Sequence, residues 1–93
     1  MKLSINSVLF LGVGGISMHQ LALAFKKMGV KVYGYDAKFS KYTEICKQNG
    51  IEVTNKFRQE FCSVDLCVKT PAIKNDNKYL LTLNSLNTKI VDR

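Results

Sequence analysis

The sequence predicts a doubly wound α/β domain built on a five-stranded parallel sheet, and three observations carry that prediction. Short apolar or alternating runs at 7–12, 30–35, 51–53, 64–68 and 89–91 are separated mostly by segments whose apolar residues recur at helical spacing, the pattern of strands joined by crossover helices rather than hairpins. The first run, S-V-L-F-L-G, is continuously apolar, as a strand covered on both faces requires. Glycines stand where that run meets the first helical segment and again before the second run, where the chain has to turn. A chain of 93 residues holds one such unit, so a single domain over 1–93 is expected.

Each element has its own signal. After the first strand, Ile16, Met18, Leu21, Ala22, Phe25 and Met28 repeat at helical spacing, with Gln20, Lys26 and Lys27 on other faces and Gly29 as a stop; this predicts a helix of about four turns. The alternating V-K-V-Y-G-Y that follows predicts a second strand ending at Asp36. Ser40 is a helix cap for a second helix with Tyr42, Ile45 and Cys46 on one face, closed by Asn49-Gly50. Residues 51–53 read as a short third strand and 57–61 as a loop or a single helical turn. Residues 64–68 read as the fourth strand, and 69–72 as a turn, because Pro71 cannot donate to a sheet ladder. Tyr79, Leu80 and Leu83 mark a third helix within 75–86, and 89–91 a fifth strand. Right-handed crossovers then give a Rossmann-like sheet with helices on both faces, its core expected around Val8, Leu9, Phe10 and Leu11 with Leu21 and Phe25.

Composition narrows the function classes. The net charge of +7 is spread over lysines in nearly every segment, a field that favours an anionic ligand and that also suits an ordinary solvated surface. No basic stripe is interleaved with aromatics, so nucleic acid is not expected as a partner. No apolar run approaches the about 20 residues of a membrane span, and Met1-Lys2-Leu3 is followed by polar Ser4 and Asn6 rather than a secretory signal; a cytoplasmic protein is expected. Cys46, Cys62 and Cys67 are odd in number and lack C-x-x-C spacing, which predicts reduced, structural cysteines and no metal site. The chain stops at Asp92-Arg93, directly after the last predicted strand, as a fragment of a longer polypeptide would.

The chemistry concentrates at Gly12-Val13-Gly14-Gly15-Ile16-Ser17-Met18, between the first strand and the first helix. Glycines there allow a sharp turn and a close ligand, and a helix start presents unpaired N–H groups with partial positive charge, which suits a phosphate or diphosphate. Asp36 lies 19 residues beyond Ser17, near the spacing of the acid that takes ribose hydroxyls in dinucleotide folds; it also reads as a cap of the loop or of the second helix. Ser17 replaces the third glycine of the dinucleotide fingerprint, and no G-x-x-x-x-G-K-[ST] loop for ATP is present. His19, the only histidine, has no partner carboxylate in view and reads as a surface or helix-start residue.

These residues, with Leu21-Ala22, Val32-Tyr33-Gly34-Tyr35-Asp36, Thr70-Pro71-Ala72-Ile73 and Val91-Asp92-Arg93, together resemble the N-terminal domain of the Mur ligase family, in particular of its UDP-N-acetylmuramate–L-alanine ligases; the related murein tripeptide recycling ligases share them. The resemblance spans nearly the whole chain. It implies that Gly12, Gly14, Gly15, Ile16, Ser17 and Met18 cradle the UDP diphosphate, with Gly14 nearest to it. It implies further that Asp36 and the loop after it meet the uridine, and that Thr70, Pro71, Ala72 and Ile73 border the nucleotide. The family has three domains, and its reaction in peptidoglycan precursor synthesis activates the muramate carboxylate as an acyl phosphate that L-alanine attacks. ATP, magnesium and the amino-acid site belong to the other domains, so no catalytic residue, metal or cofactor is expected here. The expected partners are a UDP-sugar and the other domains of the same polypeptide. Two positions depart from the family: Thr70-Pro71 stands where paired serines are usual, and a histidine common near Lys56 is missing.

Two other classes compete. A nicotinamide-binding Rossmann module, regulatory or oxidoreductase, would share the turn and Asp36, but its fingerprint prefers glycine or alanine where Ser17 stands. A non-binding structural or interaction domain would have no need of three glycines at a helix entrance.

Overall fold

The structure, a computed structural model, describes residues 4–93; Met1-Lys2-Leu3, read above as the start of a chain without a secretory signal, lie outside the described residues. In chain order the elements are β1 (Ser7–Leu11), α1 (Ile16–Lys27), β2 (Lys31–Tyr35), α2 (Lys41–Gln48), β3 (Glu52–Thr54), a 3₁₀ turn (Gln59–Ser63), β4 (Leu66–Lys69), α3 (Lys78–Ser85) and β5 (Lys89–Asp92). All pairings are parallel, in the order β3-β2-β1-β4-β5, with Phe10 of β1 opposite Gly34 of β2 and Val68 of β4. This is the doubly wound five-stranded sheet that the alternation of periods predicts.

The pleat explains why β1 has to be apolar throughout. Successive side chains leave opposite faces of a strand. Val8 and Phe10 therefore join Val32, Leu66 and Val68 under Met18, Ala22 and Cys46 of α1 and α2, while Leu9, Leu11 and Cys67 lie under Phe61, Leu80 and Leu83 of the 3₁₀ turn and α3. Phe25 closes the first cluster edge-on against Phe10, with ring centroids 5.7 Å apart; it and Leu21 are half-buried rather than central.

Several boundaries shift for physical reasons. α1 has 12 residues, little more than three turns, because Gly29 at φ +85 reverses the chain. Ile16 and Met28, placed on the apolar stripe by periodicity, are 63% and 53% exposed; one opens the helix and the other follows its last residue, beyond the sheet they would have covered. Lys69, assigned to a turn, is the buried last residue of β4. Its register partners are Leu11 and Asp92, and its ammonium pairs with the Asp92 carboxylate, which permits a lysine at an interior position of the sheet. Ser40 caps α2 as expected, its Oγ accepting the Tyr42 amide at 3.2 Å while Thr43 Oγ1 accepts the Ser40 amide at 2.7 Å. Cys46 and Cys67 are buried and Cys62 half-buried, all three as free thiols. Among the described residues no helix is long and apolar enough to cross a membrane.

Candidate functional site

The turn after β1 is held by hydrogen bonds of its own. Gly12 has φ +89, and a Cβ there would stand 2.6 Å from Thr70 Cγ2, so both the backbone and the neighbour demand glycine. The Gly12 and Val13 amides donate to Tyr35 O at 2.8 and 3.1 Å, and the Gly15 amide to Gly12 O at 3.2 Å. The Gly14 amide donates to Asp36 Oδ2 at 2.8 Å. A Cβ on Gly14 would meet that same oxygen at 2.7 Å and Thr43 Cγ2 at 3.0 Å. Four amides of the turn are thus satisfied within the protein. Among the described residues the Ile16, Ser17 and Met18 amides have no backbone partner, and no side chain caps α1. These are the donors that a helix start leaves for solvent or ligand.

Gly15, the residue directly before them, lines a cleft of about 500 Å³ at the carboxyl edge of the sheet. Gly12, Gly14 and Gly15 form one wall, and Thr70, Ile73 and Asn77 line it from β4 and the start of α3. Tyr35, Asp36, Ala37, Lys38 and Ser40 line it from the segment joining β2 to α2. Two structural relations suit the place to an anionic ligand. The residues before all three helices, Gly15, Ser40 and Asn77, border the cleft, so three helix N-termini contribute partial positive charge, while the full charge of Lys38 is offset by that of Asp36. The cleft also sits where β1 is flanked by β2 and β4, the point at which the strand order reverses and open α/β sheets take their ligands.

Residues 7–93 match the family model described as Mur ligase family, catalytic domain. The chain belongs to the Mur ligase family. It is 41% identical over 90 residues to the UDP-N-acetylmuramate–L-alanine ligase of Clostridium kluyveri, covering 95% of this chain and 20% of that protein. The crystal structure of UDP-N-acetylmuramate–alanine ligase from Thermotoga maritima superposes with a TM-score of 0.85 at 28% identity, over 94% of this chain and 20% of that one. The chain thus spans about a fifth of the length of the relatives it matches. Prephenate dehydrogenase from A. aeolicus, solved with NAD+, shares the fold at a TM-score of 0.74 and 22% identity, over 99% of this chain and 34% of that one.

In this Mur ligase domain the sequence-expected residues fall into three groups. Gly12, Gly14, Gly15, Asp36, Thr70 and Ile73 line the cleft; Ile16 and Ser17 do not line it but follow directly on Gly15, which does. Met18 likewise does not line it, and its side chain is core at 2% exposure. Pro71 and Ala72 are exposed on the turn after β4 and do not line the cleft. His19 is a helix-start residue as expected, but not a surface one: it is 7% exposed and stacks on Tyr42 of α2.

Sequence reasoning missed Tyr35, Asn77 and Lys69. Tyr35 packs edge-on against Tyr79 at 5.2 Å, and Phe57 stacks on Tyr79 at 4.6 Å; burial, then Tyr79 and Asp36, push the Tyr35 phenol pKa upward. Asn77 Oδ1 accepts the Tyr79 amide at 2.9 Å, an N-cap whose signal was present in the sequence. Lys69 Nζ also donates to Ile73 O at 3.4 Å, tying β4 to the far end of the turn at 70–73.

Proposed function

We propose that this chain is the N-terminal domain of a UDP-N-acetylmuramate–L-alanine ligase of peptidoglycan precursor synthesis and holds the UDP end of the substrate in the cleft described above. The observation that carries the reading is the uncapped start of α1 beside the cleft. In it the diphosphate accepts hydrogen bonds from the Ile16, Ser17 and Met18 amides, reinforced by the helix dipoles and Lys38. The uridine lies toward Asp36 and the loop to Ser40, with Thr70 and Ile73 as the facing wall. Gly14 serves the site by letting Asp36 reach the turn, not by donating its own amide. The chain has no G-x-x-x-x-G-K-[ST] sequence; in this reading ATP and magnesium are held by other domains of the same cytoplasmic polypeptide, and acyl-phosphate formation and amine attack take place there.

Calorimetry on the 93-residue chain tests the reading. UDP-N-acetylmuramate is expected to bind, with amide shifts in nitrogen–proton spectra concentrated at residues 14–18 and 36–40. Tighter binding of NAD+ than of UDP-N-acetylmuramate would replace this reading with a nicotinamide-binding one, and failure of both would favour a scaffold. Phosphate release by this chain from ATP, L-alanine and UDP-N-acetylmuramate would contradict the assignment of the chemistry to other domains.

A further inference from the structure

We infer that His19 is a positioning residue that orients the first amide of α1, that of Ile16, at the edge of the cleft; the inference rests on the reading just given and names the residue that helps hold that donor in place. The Gly15 carbonyl accepts two hydrogen bonds from this one residue, from the His19 amide at 2.9 Å and from His19 Nδ1 at 3.1 Å. A carbonyl oxygen only accepts, so this contact is a hydrogen bond in the Nδ1–H form of the ring. Gly15 C=O and Ile16 N–H are the two ends of one planar trans peptide. Drawing the oxygen toward the helix body therefore turns the Ile16 N–H out of the helix start, where Gly15 lines the cleft.

Apart from the His19 backbone amide, no other hydrogen bond to that peptide is seen among the described residues. Gly15 brings no side chain, and α1 has neither a capping side chain nor an acidic residue in its first turn. The imidazole is itself held. It lies stacked on Tyr42, centroids 4.6 Å apart at 29°, in the first turn of α2, whose cap Ser40 also lines the cleft. A leucine or phenylalanine would fill the same space between the helices, but neither has a donor for Gly15 O. One side chain thus links the starts of two helices that border the cleft.

Two measurements test this. Ring-nitrogen shifts of ¹⁵N-labelled histidine in the ligand-free chain report the tautomer, and the Nδ1–H form is expected; the Nε2–H form overturns the inference. Titration with UDP-N-acetylmuramate then compares His19→Phe, which keeps a ring on Tyr42 and lacks the donor, with His19→Asn, which places an amide N–H near the Nδ1 position and lacks the ring. His19→Phe is expected to weaken binding about tenfold, the loss of one well-placed hydrogen bond, and His19→Asn to recover most of it. Wild-type affinity in a folded His19→Phe chain, or equal weakness in both folded variants, overturns the inference. If the wild-type chain shows the Nδ1–H form and binds no UDP-N-acetylmuramate, the functional reading fails first and the positioning role falls with it.

Discussion

Asp36 Oδ2 accepts the Gly14 amide at 2.8 Å while Asp36 Oδ1 accepts the Lys38 amide at 3.1 Å. One carboxylate at the end of β2 therefore fixes both the glycine turn after β1 and the loop that leads to α2. Hydrogen bonds to an ionised acceptor are roughly twice as strong as neutral ones, so this residue is part of the architecture of the site whatever else it touches. Asp36→Ala should lower stability by about 1 to 3 kcal/mol and weaken UDP-N-acetylmuramate binding as well. Urea denaturation and calorimetry on the same preparation check both; an unchanged midpoint would show that the two loops hold without it.

Gly14→Ala should destabilise the domain by about 1 to 3 kcal/mol through crowding, because the new methyl would stand 2.7 Å from Asp36 Oδ2 and 3.0 Å from Thr43 Cγ2. The two residues then couple. In an Asp36→Ala background the added methyl loses its nearest obstacle, and the double variant should be more stable than the two single losses predict. Strict additivity would mean that Thr43, not Asp36, sets the requirement for glycine.

Gly12 is constrained twice, by φ +89 and by Thr70 Cγ2 at 2.6 Å from the position a Cβ would take. Gly12→Ala should cost about 1 to 3 kcal/mol from the backbone conformation alone, and more from the contact. Thr70→Ser removes the crowding methyl and should restore only the second part. Thermal melts separate the contributions, since about 1 kcal/mol moves the midpoint by roughly 4 to 8 °C in a domain of this size.

Lys69 and Asp92 form an unequal pair, with side chains 11% and 60% exposed. Asp92→Asn leaves a buried ammonium with the Ile73 carbonyl at 3.4 Å, whereas Lys69→Met leaves a carboxylate that water already reaches. The first should therefore cost more, about 1 to 2 kcal/mol, below the range for fully buried pairs. Guanidinium titrations that rank Lys69→Met as the more damaging would contradict this.

Burial pushes the Cys67 thiol from 9.0 up to about 12, against an opposing pull from Lys69. The folded state then keeps a proton that the unfolded chain releases, so this contribution to stability is intact below pH 9 and is lost as pH rises toward 12. Burial raises Cys46 as well, in the same sense. Cys67→Ala should flatten the fall in stability across that window. A thiol reagent at neutral pH should label half-buried Cys62 well before the other two cysteines.

The order of strands and helices, the two-sided burial of β1 and the placing of the glycine turn between β1 and α1 were legible in the sequence. All three follow from periodicity, chirality and the conformational range of glycine, which act over a few neighbouring residues. Ser40 was legible as a cap for the same reason, and Asn77 carried an equivalent signal. That the N-termini of α1, α2 and α3 converge on one cleft depended on the sheet that brings them together.

What the tertiary structure alone decided is which groups remain available at that cleft. Gly14 was expected where the backbone comes closest to the diphosphate; its amide is engaged by Asp36, 22 residues away, and the amides without a backbone partner begin two residues on, at Ile16, Ser17 and Met18. His19 read as a surface or helix-start residue, and Tyr42 of α2, by covering it, decided against the surface. Lys69 looked like part of a turn until Asp92 of β5 supplied its counter-charge. Each outcome depends on a partner distant in sequence and brought close by the parallel sheet. Local propensity carries no information about such partners, and a polar group's availability is settled only when every neighbour that could satisfy it has been placed.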